Sequence, residues 1–190
     1  MTQFTIYTVE TAPEASKSAL EQLQQQVGFL PNLAATMAES PAMLTAFTTL
    51  RTLYAGTSLS SVERELVALT AAYENACTYC AAAHSTLAAM LGASEEEIDA
   101  VRAGRSPANN PRLAALTTFA RRVIQTRGAV SADEVETVIE AGYSKEQALD
   151  VLVGIAMSNL AAQMHHIGGC PVDDAFAARR WSPSAVATSA

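Results

Sequence analysis

Aromatic residues are scarce, at 6% of the 190-residue chain with a single tryptophan. Sheet cores draw on aromatic and β-branched side chains, so this poverty speaks against a β fold. Positive charge is also short: 12 Lys and Arg face 19 Asp and Glu, for a net charge of −7. A face able to neutralise nucleic-acid phosphates or to dock on an anionic membrane is therefore missing. The densest basic spots, Arg121-Arg122 and Arg179-Arg180, read as solvated helix faces. The three cysteines, Cys77, Cys80 and Cys170, are too few and odd in number for the disulfide framework of a small secreted domain. No apolar run approaches the ~18 residues of a membrane span, since the best, Val151 to Met157, meets Ser158-Asn159. The opening MTQFTIYTVE lacks the basic and apolar regions of a leader, and the expectation is a cytoplasmic protein.

What the chain does have is 49% hydrophobic residues, dominated by alanine and leucine, with only 16% charged. That suits closely packed helices in one domain over 1–190. Helix starts are marked by four capping-box patterns: Ser60-x-x-Glu63, Ser94-x-x-Glu97, Ser131-x-x-Glu134 and Ser144-x-x-Gln147. Ser40-Pro41 reads as a further N-cap with proline at the first helical position. Gly56, Gly92, Gly104, Gly128, Gly142 and Gly168-Gly169 mark the stops. Apolar stripes at helical spacing run through Val62, Leu66 and Leu69 and through Leu149, Leu152, Val153 and Ala156.

The resulting fold class is all-α, with about eight helices near 13–27, 41–55, 61–75, 77–91, 95–103, 111–127, 132–141 and 145–166. A turn and a short helix fill 28–40, and the tail after Phe176 reads as a polar, frayed terminus. Leu44 to Leu50 echoes Leu113 to Phe119, each followed by a glycine and a Ser-capped helix. Two related units over about 41–104 and 111–169 would explain the echo, as would chance in an Ala/Thr-rich chain.

The chemistry concentrates in Glu65-LVALTAAYENA-Cys77-Thr-Tyr-Cys80-Ala-Ala-Ala-His84. In a helix starting near Cys77, Cys80 lies about 60° round the axis, with His84 between the two. Thiols spaced i, i+3 at a helix start can form a disulfide, because their Cα separation falls within about 4.4–6.8 Å. Asn75-Ala76 supplies the break and N-cap just before. Free amides at a helix N-terminus stabilise a thiolate, the nucleophilic form, and His84 can carry its proton. Glu65 sits in the preceding helix beside Leu66 and Leu69, on a part that faces the core. A carboxylate there is costly unless paired or used.

Glu-x11-Cys-x2-Cys-x3-His resembles the signature of the AhpD-like alkylhydroperoxidase branch of the carboxymuconolactone decarboxylase family. Gly28-Phe29-Leu30-Pro31-Asn32, Ser40-Pro41 and Pro171-Val172-Asp173-Asp174-Ala175-Phe176 resemble the longer, peroxidase-related members, so the likeness covers about residues 25–177. It implies an AhpD-like helical bundle with the C-x-x-C at the start of a central helix. It also implies thiol-dependent reduction of organic hydroperoxides: Cys80 attacks the O–O bond, Cys77 resolves the sulfenic acid as a disulfide, and Glu65 and His84 move protons. An external dithiol, lipoyl-type or thioredoxin-like, then reduces the pair, Cys77 being the sulfur it meets. No cofactor or metal is implied, and a homo-oligomer (dimer, trimer or hexamer) is expected.

One position departs from the pattern: the residue before the second cysteine, a relay histidine in the best-characterised type, is Tyr79. A phenol titrates near ~10 and is a poor base at neutral pH. That departure keeps open a redox-sensing or disulfide-exchange protein with little peroxidase turnover. A zinc-binding non-enzyme using Cys77, Cys80, His84 and Glu65 is a further alternative, though three of these share little more than one helical turn. Lactone decarboxylation, the activity in the family name, does not rely on a C-x-x-C pair. His165-His166 read as helix C-terminal capping groups, Cys170 as a small apolar filler, and Met37, Met43, Met90, Met157 and Met164 as core. Trp181 and the tail are candidates for covering a neighbouring subunit.

Overall fold

A computed structural model describes residues 4–183. The helices are α1 (Glu14–Val27), α2 (Asn32–Met37), α3 (Pro41–Ala55), α4 (Ser61–Glu74), α5 (Thr78–Met90), α6 (Glu95–Arg102), α7 (Pro111–Gln125), α8 (Ala132–Glu140) and α9 (Lys145–Gly168). A 3-10 turn follows at Asp174–Arg179, and no strand occurs among the described residues. The all-α class and the helix map agree with the sequence expectation to within two residues at nearly every end.

Local chemistry explains that agreement. All four capping boxes form reciprocally, at Ser60, Ser94, Ser131 and Ser144. Each is worth roughly 1 kcal/mol of helix stability. Ser40 caps α3 by accepting from the Met43 amide, with Pro41 at the first position.

Helix α4 is the hub. Leu66 and Leu69, with no exposed surface, join the cluster that holds the thiols, while Val67 on its other side joins a second cluster with Leu116, Val138 and Val151. Truncating Leu66 to alanine removes about 2–5 kcal/mol by the usual cavity cost. Helix α9 approaches α3 closely because Gly154 lies under the Tyr54 ring; a Cβ there would sit 2.4 Å from Tyr54 Cζ.

Three expectations fail here. In the α9 stripe, Leu149, Leu152 and Ala156 face outward, Leu149 being 65% exposed, and only Val153 packs, partly buried, against the second cluster. The buried face is instead Ala148, Val151, Ile155, Ser158 and Ala162, of which the small Ala148, Ser158 and Ala162 let neighbouring helices come close. Met90 is exposed at the end of α5, whereas Met37, Met157 and Met164 are buried as expected. The tail is ordered through Trp181: its indole donates to the Arg102 carbonyl at 2.9 Å and its ring packs on Tyr73. Arg179 pairs with Glu95. Trp181 therefore closes this chain's own C-terminus over α6, while 184–190 lie outside the described residues.

Candidate active site

The site is built on the turn between α4 and α5. Ala76 takes a left-handed backbone, φ 51°, and the Cys77 amide donates back to the Ala72 carbonyl at 2.9 Å, ending α4. Cys77 itself is then the N-cap of α5; its Sγ accepts from the Cys80 amide at 3.1 Å, the place a serine oxygen takes at the starts of α3, α4, α6, α8 and α9. The sequence placed the cap at Asn75-Ala76. Asn75 instead ties the turn to α9, donating to Asn159 Oδ1 at 2.7 Å and accepting from His166 Nε2 at 2.8 Å.

Cys77 and Cys80 are joined as a disulfide with Cα atoms 5.3 Å apart. Their surroundings differ. Cys77 has no exposed surface and lies off the large cavity of the molecule, whereas Cys80 lines that cavity. The cavity, about 780 Å³, opens between α1, α3 and α5 and has mostly apolar walls, with Phe29, Phe47 and Leu87 among them. Glu65 and His84 line it beside Cys80. His84 Nδ1 meets Glu65 Oε2 at 2.8 Å, with side chains only 15% and 20% exposed. A ring whose Nδ1–H is held by a carboxylate keeps Nε2 for proton exchange. All four residues singled out in the sequence are thus brought to one turn and its neighbouring helix. The difference from expectation is access: the sulfur nearest an incoming molecule is that of Cys80, not Cys77.

The C-terminal segment supplies partners that sequence reasoning missed. Tyr79 lines the same cavity, and its hydroxyl donates to Asp173 Oδ2 at 2.6 Å. Asp173 also accepts from the Asn32 amide at 3.1 Å, linking α5, α2 and the C-terminal segment. Burial, then the hydrogen bond to Asp173, pushes the phenol far above its ordinary range. Phe176 packs edge-on against Tyr79 and Phe29.

His165 bonds Thr78 Oγ1 at 3.0 Å, so both histidines of the pair brace the α4–α5 turn. Burial, then the neighbouring His166, lowers the His165 pKa, so it is a neutral brace and not the partly protonated cap expected. Cys170 is a buried filler, as read; burial and then the Asp173 charge push its thiol up to about 11. Among the described residues, no three His, Cys, Asp or Glu side chains group in a metal-binding arrangement. No helix among the described residues is long and apolar enough to cross a membrane.

Residues 41–122 match the model of the carboxymuconolactone decarboxylase family. No curated protein sequence matches the chain. Among solved structures, an uncharacterized peroxidase-related protein from Ralstonia eutropha JMP134, described as an alkylhydroperoxidase AhpD core, superposes with a TM-score of 0.82 at 24% identity over 92% of this chain and 93% of that one. The debrominase Bmp8, a cysteine-to-alanine variant holding 2,3,4-tribromopyrrole, gives 0.78 at 19% identity over 94% and 96%. An uncharacterized peroxidase-related protein from Silicibacter sp. TM1040 gives 0.75 at 18% over 92% and 93%. The fold is therefore AhpD-like over nearly the whole chain, and the segment that carries the thiols, the histidine and the glutamate lies within the stretch that matches the carboxymuconolactone decarboxylase family model.

Proposed function

We propose that this protein is a thiol-dependent peroxidase acting on organic hydroperoxides. The observation that carries the reading is the shared cavity: Cys80 faces it beside the hydrogen-bonded Glu65–His84 pair, and its walls are largely apolar. In the reduced enzyme, His84 takes the Cys80 proton. The thiolate attacks the distal peroxide oxygen, the O–O bond breaks, and the returned proton completes the alcohol while Cys80 becomes a sulfenic acid. The Cys77 thiol displaces water from that sulfenic acid and closes the disulfide. Two electrons thus pass from the thiol pair to the peroxide.

Reduction by an external dithiol, lipoyl-type or thioredoxin-like, starts at the Cys80 sulfur, because that is the one reached from the cavity. Cys77 then leaves as a thiolate held by the Cys80 amide at the mouth of α5. No metal or organic cofactor enters this sequence of steps.

One observation favours a second reading. The Tyr79 phenol is tied to Asp173 and cannot stand in for a relay histidine, which suits a disulfide-exchange or redox-sensing protein with slow peroxide turnover. Cumene hydroperoxide consumption, measured with dihydrolipoate and with thioredoxin as donors, separates the two. The peroxidase reading expects turnover that Cys80→Ser abolishes; turnover unchanged in that variant refutes the assignment. Debromination of tribromopyrrole without peroxide turnover would move the activity to the chemistry named for the Bmp8 neighbours. A homo-oligomer in a reducing, cytoplasmic compartment completes the proposal. The outward apolar stripe of α9 supports self-association, and light scattering showing a monomer at micromolar concentration would contradict it.

A further inference from the structure

The cavity contains a cation that the proposed chemistry does not use. Arg51, on α3, lines it together with Gln26 of α1 and the apolar walls that lead to Cys80. The only hydrogen bond its guanidinium makes among the described residues runs from Nη1 to Gln26 Oε1, at 2.8 Å, and it forms no ion pair there. A guanidinium carries five N–H donors, so most of its donor capacity points to no protein group. Arg64, the other arginine of the lining, differs: it donates to the Thr57 and Leu59 carbonyls and so holds the loop before α4. The lining's carboxylate, Glu65, is engaged by His84. A half-buried cation without an ion pair among the described residues, at the edge of a mostly apolar cavity in a chain carrying −7, is a local reversal of the protein's charge.

We infer that the cavity selects an organic hydroperoxide bearing a carboxylate, with Arg51 binding the carboxylate and the apolar wall between Phe47 and Leu87 holding the body. The inference rests on the peroxidase reading for its peroxide and adds the substrate class. A planar, bidentate guanidinium–carboxylate pair in a partly dry site is stronger than its solvated counterpart, which makes the acid group a recognition element.

Linoleic acid hydroperoxide and its methyl ester share one body and differ in that charge. The parent protein is expected to show a kcat/KM for the acid about tenfold above that for the ester, carried by KM. Arg51→Gln should bring the ratio to about one, and Arg51→Lys should restore part of it. Equal KM values for acid and ester in the parent, or an unchanged ratio in Arg51→Gln, would overturn the inference. Calorimetric titration with unoxidised linoleic acid and methyl linoleate gives the same comparison without turnover. If neither peroxide is consumed but the acid alone binds in an Arg51-dependent way, the peroxidase reading fails and the carboxylate site stands; if acid and ester bind alike, the carboxylate site fails.

Discussion

The Glu65–His84 pair is the part of the account most open to quantitative attack. The two side chains meet at 2.8 Å and are largely withdrawn from solvent, so water does not readily take the place of the carboxylate. Glu65→Gln keeps an oxygen able to accept from Nδ1 but removes its charge. Hydrogen bonds to charged groups contribute about 1.5–3 kcal/mol against about 0.5–1.5 for neutral ones. The difference, about 1–1.5 kcal/mol, corresponds to about a tenfold loss in kcat/KM if the charge stabilises a transferring proton. His84→Ala removes the proton carrier and should cost about 10²–10⁴-fold. Because Glu65 acts through His84, the double variant should be no slower than His84→Ala alone. Initial rates of cumene hydroperoxide consumption with a dithiol donor read all three, with thermal unfolding as the control for folding. A double variant slower by the product of the single effects would refute the coupling, since Glu65 would then be acting on its own.

Tyr79→Phe deletes the hydroxyl donated to Asp173 and should lower stability by about 1.5–3 kcal/mol, or roughly 3–12 °C in Tm; an unchanged Tm would mean that the C-terminal segment is held elsewhere. His165 is neutral when folded, its pKa lowered from 6.5 by burial and then by His166, so the unfolded chain binds more protons below that value. Stability present above pH 6.5 should decline as pH falls through that region, and His165→Gln should flatten the decline in denaturant titrations at pH 7 and pH 5. The buried Cys170 thiol, pushed up to about 11, should resist iodoacetamide at pH 8 in the folded, reduced protein while labelling freely after unfolding.

Local signals carried most of the fold. Serine caps and left-handed glycines act over three or four residues, so Ser60, Ser94, Ser131 and Ser144 could be read directly. The thiol turn was legible for the same reason, since Cys77, Cys80 and His84 share one helix start. Helix α9 was read on the wrong face because hydropathy favours Leu149 and Leu152 over the small Ala148, Ser158 and Ala162 that actually pack. The partners of the site came from far along the chain. Asp173 meets Asn32 across 141 positions and Tyr79 across 94, distances over which no periodicity speaks. The run Pro171 to Phe176 marked a family likeness without telling which of its side chains reaches the site. The two adjacent histidines, which diverge on a helix, both reach the turn because their partners are spread along it, Asn75 just before the thiol pair and Thr78 within it.

The central claim is tested most directly by peptide mapping of the fully reduced protein after one equivalent of an organic hydroperoxide, in the parent and in Cys77→Ser. The parent should show Cys77 joined to Cys80 and Cys170 still a free thiol, and Cys77→Ser should stop at a dimedone-trappable sulfenic acid on Cys80. Oxidation appearing first at Cys170, or both cysteines of the pair remaining reduced, would contradict the account.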